Sequence, residues 1–404
     1  MNMKIFFLAS HPSRGTGYSR VANKISNYMA SIPGVEVVYF AFQNYKGGRI
    51  NDRFIDPRIK FHDALELDPE SPAGFGYKAI VHKIIIEKPD VLFSYNDLTI
   101  TNTIMDIIPK SYMPPKKYVY LDIVYPWQNI QMYKKLKSHN FNHIWVFTDY
   151  WKKHLIDDLK FDTVQVSTMV HGVDFVRFID IPKEVAKRKM GLKPDDYLII
   201  NMNSNNERKC WDITIRAFVE LLKRENLNSH IKLYCGGLLK NNNGHDIIEI
   251  LFTECIRKKL KFKRVLDEHF ISNPKPSHLT DEEVSILYNA GDVGMNTSRG
   301  EGFGLTTIEH LYFDRPQIVS GIPALIETMG PHAHIVKPKV SVYTTITEPE
   351  GGEFMFCDYM DFADKLQYCF RHPDEKPNGR EYVKQEYSWD HMYKTLDAEF
   401  STQM

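Results

Sequence analysis

The stretch NTSRGEGFGLTTIEHLYFDRPQIVS (Asn296–Ser320) decides how the rest of the chain is read. It starts as the end of a strand, passes three glycines within five residues (Gly300, Gly302, Gly304) and becomes a helix. Glycines at such a turn let the chain bend sharply and let a ligand approach the backbone. The helix that follows directs free N–H groups and its positive dipole end at the loop, an arrangement that favours an anion, usually a phosphate. Two carboxylates flank the turn, Glu301 in the loop and Glu309 one turn into the helix. Thr306-Thr307-Ile308-Glu309 also fits a capping box, in which Glu309 would bond only the start of its own helix. Asp314-Arg315-Pro316 breaks that helix, and Gln317–Ser320 reads as the next strand.

Working outward, the 404 residues exceed one ordinary core and predict two domains. Hydrophobic residues at 43% and charged residues at 25% are a globular composition. Lysine plus arginine equals aspartate plus glutamate at 51 each, so no strong field for nucleic acid or an anionic membrane is implied. The five cysteines (Cys210, Cys235, Cys255, Cys357, Cys369) form no metal-binding spacing and read as reduced thiols of a cytosolic protein. The apolar run Ile5–Ala9 suits a buried strand and is too short for a signal-peptide core; no stretch approaches a membrane span. A lipid acceptor would have to be met peripherally, by a surface helix or by loops.

From the N-terminus, strands alternate with helices: Lys4–Ser10, Val35–Phe42, the strand VLFSY after Pro89-Asp90, Lys117–Val124, His143–Thr148 and Thr163–Met169. This alternation predicts a parallel, doubly wound sheet, whose ligands sit at the carboxyl ends of the strands. The first strand leads to Gly15-x-Gly17 and then a helix. That is a phosphate-binding arrangement, or else a tight turn needing positive φ. Arg20 stands where a dinucleotide fingerprint has its third glycine, which argues against a dehydrogenase. Residues 43–76 read as an irregular insertion. Asp122 lies near the end of the strand KYVYLDIV and either contacts ligand or caps the next turn. Residues 179–194 form a basic helix bracketed by prolines, read as the interdomain connection, with Lys187, Arg188 and Lys189 on its solvated face. The second alternating set opens with Tyr197–Met202. The polar loop Asn203–Lys209 follows, then a helix from Trp211, and then the strand HIKLYCGG, whose Gly236 marks another ligand-side turn.

The pattern Glu301-Gly302-Phe303-Gly304, seven residues from Glu301 to Glu309, and then Pro316 resembles the donor-sugar signature of glycosyltransferase family 4, the retaining glycosyltransferases of GT-B architecture. Glu327 matches an acidic residue that often follows there. Val170–Phe175 resembles the family's Asn-Gly-Val-Asp turn, with His171 in the asparagine position, and EYSWDHMYKTLDAEF resembles its closing helix. The resemblance implies an α/β fold of two Rossmann-like domains facing each other across a cleft. It places an acceptor-side domain at 1–178, a nucleotide-sugar domain at 195–386 and a helix at 387–404 returning to the first domain. It implies that Arg208 and Lys209 hold the donor diphosphate and that Glu309 binds ribose hydroxyls. Glu301 would bind the donor sugar, and the backbone of Gly302, Phe303, Gly304, Leu305 and Thr306 would line the site. Gly15 and Gly17, with Arg20 beside them, would close over the phosphate.

The chain departs from the family where a first-domain histidine is common. Asp122 or Ile123 stands at one such position and Tyr95-Asn96-Asp97 at the other, so Asp122 becomes the candidate for contacting sugar or acceptor. The reaction implied is transfer of a hexose, with GDP-mannose favoured over a UDP-sugar as donor, to a glycan, lipid or other hydroxyl acceptor. The chain contains no Asp-x-Asp, so metal independence is expected. Other readings are a sugar-nucleotide epimerase or hydrolase, with a base near Asp97 or Asp122, and a non-catalytic nucleotide- or glycan-binding partner.

Overall fold

The computed structural model describes residues 2–44, 52–273, 279–344 and 351–401. Part of the 43–76 insertion (45–51) lies outside the described residues. The chain divides into two compact units, one of residues 1–172, 343–353 and 388–404, the other of residues 173–342 and 354–387.

The first unit is built on strands β1 (Met3–Ser10), β2 (Val35–Phe42), β3 (Lys60–Asp63), β4 (Val91–Asp97), β5 (Lys116–Asp122), β6 (His143–Val146) and β7 (Val166–Thr168). They form one parallel sheet in the order β3-β2-β1-β4-β5-β6-β7. Ile5 to Ala9 are fully buried, as expected of a strand covered on both faces. Phe7 packs its ring 5.1 Å from Tyr39 and 5.2 Å from Phe93, which ties three neighbouring strands together. The helix Trp389–Phe400 belongs to this unit. Its Tyr393 stacks on Tyr28 at 3.8 Å, Asp397 accepts from the Tyr28 hydroxyl at 2.7 Å, and Glu399 accepts from Tyr118 at 2.6 Å. A Cβ on Gly172 would come within 2.6 Å of Trp389, so the turn after β7 has room only for glycine.

The second unit contains β8 (Tyr197–Asn201), β9 (Ile231–Cys235), β10 (Phe270–Ser272), β11 (Val293–Asn296), β12 (Gln317–Ser320) and β13 (His334–Val336), parallel in the order β10-β9-β8-β11-β12-β13. Period-2 alternation sends Tyr197 and Ile199 to one core, with the helices Trp211–Arg224 and Tyr359–Arg371. Leu198 and Ile200 go to a second core, with Ala186, Leu287 and Ala290. Helices on both faces of a parallel sheet are the doubly wound arrangement predicted from the alternation. A two-stranded sheet of β14 (Pro338–Thr344) and β15 (Gly352–Cys357) completes the strands described.

The boundaries differ from those expected. Residues 173–194 were divided between the end of the first domain and a connection, yet they belong to the second unit. Val173 N–H donates to Tyr387 O at 2.8 Å, Ile179 N–H to Ser285 Oγ at 2.9 Å, and Lys183 pairs with Asp292 at 2.8 Å. Lys187 is not on a solvated face: it is 2% exposed and its ammonium lies 2.8 Å from Asp292 Oδ2. Burying a lysine in this way is tolerable because the carboxylate accompanies it. Arg188 and Lys189 are exposed as expected. The helix Asp149–Lys153 runs on into one π turn, His154–Asp158, and the strand expected over 163–169 shortens to Val166–Thr168.

Candidate functional site

The residues singled out in the second unit converge at the carboxyl end of β11. That strand ends in Asn296, the loop 297–304 follows, and the helix Leu305–Leu311 begins after Gly304. Gly304 has φ +92°, and a Cβ there would lie 2.4 Å from Leu325 Cδ2, so both conformation and packing require glycine. Gly300 and Gly302 do not adopt positive φ. Because Gly304 is the N-cap and no side chain caps the helix, the Thr306–Glu309 capping box does not form.

Glu309 instead turns inward. It is 2% exposed, its Oε1 accepts from Arg177 Nη2 at 2.5 Å, and its Oε2 accepts from the Tyr288 hydroxyl at 3.3 Å. Arg177 also donates through Nη1 to Asp281 at 2.7 Å, so one guanidinium spans two carboxylates. Arg177 is a residue that sequence reading missed. The available signal was a lone arginine in the aromatic run Phe175–Phe178, and its charge lies 4.7 Å over the Phe178 ring.

Glu301 is 7% exposed and sits in a cluster of donors. Lys209 Nζ pairs with Oε1, Arg208 Nη1 donates to Oε2 at 2.9 Å, and Ser298 Oγ donates to Oε1 at 2.9 Å. Burial alone would push the Glu301 carboxyl up, but Lys209 and then Arg208 outweigh it and hold the pKa at about 2. Glu301 is therefore a fixed carboxylate that accepts hydrogen bonds and holds no proton near neutrality. Arg208 and Lys209 come from the short turn Glu207–Lys209 after β8, and Arg208 also donates to Gly300 O at 2.6 Å. The structure thus joins the two expected diphosphate cations and the expected sugar-binding carboxylate in one ion-paired group with net charge +1.

Beneath this group lies a buried polar network that sequence reading did not single out. Asn296 Nδ2 donates to Thr307 Oγ1 at 3.1 Å, Asn203 Nδ2 to Asn296 Oδ1 at 3.2 Å, and Thr214 and Thr297 share a hydrogen bond of 2.8 Å. Satisfied networks of this kind fix a loop in one geometry. Phe303 packs edge-on to Tyr387 at 5.5 Å, and its carbonyl accepts from Thr328 at 3.0 Å, which makes it a packing residue. Gly236 meets the end of β8, where a Cβ would lie 2.7 Å from Met202 Cα. Leu305 and Thr306 are half-buried, Gly302 is buried, and Glu327 lies on the exposed face of the helix Pro323–Met329.

In the first unit, Asp122 ends β5 opposite Asp97 of β4. The Tyr18 hydroxyl donates to Asp122 Oδ2 at 2.6 Å, and the Tyr18 ring stacks on Tyr95 at 4.9 Å. Asp97 caps the helix Leu98–Ile107 by accepting from Ile100 N–H at 2.8 Å. Gly15 and Gly17 lack positive φ; Gly17 starts the helix that Thr16 caps. The loop between β1 and that helix turns carbonyls inward, and Arg53 donates to Pro12 O at 2.5 Å and to Arg14 O at 2.7 Å. Among the described residues, no helix is long and apolar enough to cross a membrane.

No family model matches the chain. It is 26% identical over 166 residues to D-inositol 3-phosphate glycosyltransferase 2 of Catenulispora acidiphila, covering 41% of this chain and 36% of that one. It is 24% identical over 209 residues to mannosylfructose-phosphate synthase of Agrobacterium fabrum, covering 50% and 43%. The matches therefore span less than half the length of these curated relatives. Among solved structures, sucrose-phosphate synthase from Thermosynechococcus elongatus superposes with TM-score 0.71 at 12% identity, covering 100% of this chain and 99% of that one. Anabaena HepE in complex with UDP and glucose superposes with TM-score 0.67 at 12% identity, covering 99% and 100%. The fold is GT-B: two parallel sheets of seven and six strands clad in helices.

Proposed function

We propose that this GT-B chain is a glycosyltransferase that moves a hexose from a nucleoside-diphosphate sugar to a hydroxyl acceptor with retained configuration. One observation carries the reading. At the carboxyl end of a parallel sheet, Arg208 and Lys209 from the turn after β8 form a single charged group with Glu301 of the loop that ends in Gly304, and Glu309 of the following helix is held by Arg177. Breaking the bond from the anomeric carbon to phosphate builds negative charge on the leaving diphosphate and positive charge on the sugar. Arg208 and Lys209 supply the counter-charge for the first. Glu301, kept ionised, accepts hydroxyl hydrogens of the sugar and lies close enough to favour the second.

Two guanidinium and ammonium donors in this position perform the task that a metal held by Asp-x-Asp performs elsewhere, which supports a metal-independent reaction. Glu309 is the ribose-binding carboxylate, with Arg177 fixing its orientation. The preference for GDP-mannose rested on no residue. A fold neighbour that binds UDP and glucose favours a UDP-hexose, and relatives named for inositol phosphate, mannosylfructose phosphate and sucrose phosphate favour a phosphorylated sugar or polyol as acceptor. Asp122 and Tyr18 are the candidates for the acceptor hydroxyls.

The test is calorimetric titration with UDP, GDP, ADP and their common sugars in EDTA, on the wild type and Glu309→Ala. UDP binding that Glu309→Ala weakens by about 1–3 kcal/mol supports the reading. Absence of binding to every nucleotide, or binding indifferent to Glu309, overturns it. Turnover of the UDP-hexose with glucose 6-phosphate and inositol phosphates then identifies the acceptor.

A further inference from the structure

At the β13 edge of the second sheet, three side chains of metal-binding type converge. His334 opens β13 and is paired in register with Ile318 of β12, so it lies toward the amino ends of the strands, whereas the charged loop follows the carboxyl ends. Cys369 comes from the last turns of the helix Tyr359–Arg371, and Glu375 from the turn after it. His334 Nε2 lies 3.3 Å from Glu375 Oε1, and the ligand atoms of all three residues fall within 4.8 Å of one another. Glu375 Oε2 is covered from solvent and makes no hydrogen bond among the described residues, which leaves a carboxylate oxygen wanting a cation.

We infer that His334, Cys369 and Glu375 form a binding site for a zinc-class divalent cation that staples the edge strand β13 to the helix Tyr359–Arg371. Imidazole, thiolate and carboxylate suit zinc or cobalt and do not suit magnesium or calcium, which avoid sulfur. Bonds of about 2.0–2.3 Å to a tetrahedral ion set ligand separations near 3.3–3.8 Å, so the observed group needs only a small side-chain contraction. His334 and Glu375 keep 19% and 34% side-chain exposure, which provides an entry path and a water for the fourth position, while Cys369 closes the site from the core at 1%. The turn carrying Glu375 is already anchored, because His332 Nδ1 hydrogen-bonds Pro377 O at 2.6 Å. Lys365, one turn before Cys369, is the cation whose field reaches both His334 and Cys369. On binding, the Cys369 thiol loses its proton to solvent as the sulfur–metal bond forms, and no electrons are exchanged.

Cobalt(II) titration of the chelator-stripped full chain tests the site. The expected result is saturation at about one equivalent with a thiolate-to-cobalt charge-transfer band and the strong visible bands of tetrahedral cobalt, both removed by added zinc. Cys369→Ser should abolish the charge-transfer band. His334→Gln and Glu375→Gln should each weaken binding by more than about tenfold, the loss of a ligand exceeding that of an outer partner. Cys357→Ala should leave the titration unchanged, and zinc should raise the melting midpoint of the wild type but not of the His334 variant. A wild-type titration without the charge-transfer band overturns the proposal, as does a band that persists in Cys369→Ser. Should Cys369→Ser fail to fold, unchanged cobalt affinity in the half-exposed variant His334→Gln is enough to overturn it.

Discussion

Replacing Glu301 with glutamine separates what this carboxylate does for the protein from what it does for a ligand. Its pKa lies at about 2 against an ordinary 4.5, which corresponds to roughly 3 kcal/mol of stability. The folded value is the depressed one. The contribution is therefore complete above pH 4.5 and is lost as pH falls from there through about 2. Glu301→Gln removes it above that range and leaves the Lys209 ammonium, 10% exposed, and the Arg208 guanidinium without the carboxylate they share. Breaking a buried pair from one side costs about 3–5 kcal/mol, in agreement with the figure from linkage. At the same time the group changes from net +1 to +2, so UDP should bind about tenfold tighter, roughly 1.4 kcal/mol. Sugar transfer should fall by about a hundredfold or more, because the carboxylate charge that favours positive charge on the sugar is lost. Stability is best followed at Trp211, the tryptophan of the second unit, by fluorine NMR of fluorotryptophan-labelled protein in urea, and affinity by calorimetry. Opposite signs for stability and UDP affinity are the signature. If Glu301→Gln unfolds like the wild type and binds UDP more weakly, the ion-paired group does not work as described. Lys209→Met added to Glu301→Gln should recover part of the lost stability, since it removes the stranded charge.

Arg177→Met should weaken UDP binding by about 1–3 kcal/mol without any direct contact to the nucleotide, because Glu309 keeps the Tyr288 hydroxyl but loses the guanidinium that orients it; calorimetric affinity equal to wild type would remove Arg177 from the site. Gly304→Ala places a Cβ 2.4 Å from Leu325 at φ +92°, so it should lower the melting midpoint, and Leu325→Ala in the same chain should restore part of it in thermal scans. Lys187→Met leaves Asp292 with Lys183 as its remaining ammonium partner and should destabilise the second unit by about 1–3 kcal/mol in urea; an unchanged midpoint would show that the Lys187 pair contributes little. Tyr18→Phe should leave nucleotide affinity intact and raise KM for the acceptor, because it removes one proposed acceptor contact and the hydroxyl that positions Asp122; a changed UDP affinity with unchanged KM would contradict the assignment.

Periodicity made the two parallel sheets legible, because strands such as Ile5–Ala9 and Tyr197–Ile200 are buried on both faces and read as continuous apolar runs. The strand Phe270–Ser272 escaped notice because three residues carry no period, and its identity comes from pairing with β9. The helix Gly379–Glu386 was missed for a related reason: only Gly379 and Val383 are buried, too few to mark an apolar stripe. Lys187 was read as solvated because a run of basic residues normally is, and nothing local signals Asp292 more than a hundred positions away. The same limit applies at the site. Glu301, Lys209 and Glu309 were each recognised, but their partners are set by tertiary structure: Glu301 closes on Lys209, and Glu309 on Arg177 rather than on its own helix.

The membership of the last helix has a consequence for how the chain is made. Synthesis delivers the first 172 residues early, yet the unit they start is completed only by 388–404, after the whole second unit has been translated. Until then Tyr28, Tyr118 and Trp145 lack the rings and carboxylates of Tyr393, Asp397, Glu399 and Phe400 that cover them. The nascent first unit therefore emerges with a hydrophobic face open to chaperones, while the second can condense as soon as Tyr387 clears the ribosome. A chain stopped after residue 387 should accumulate with its second unit folded and its first sensitive to protease, the reverse of the usual order in which the part made first is the part that is finished.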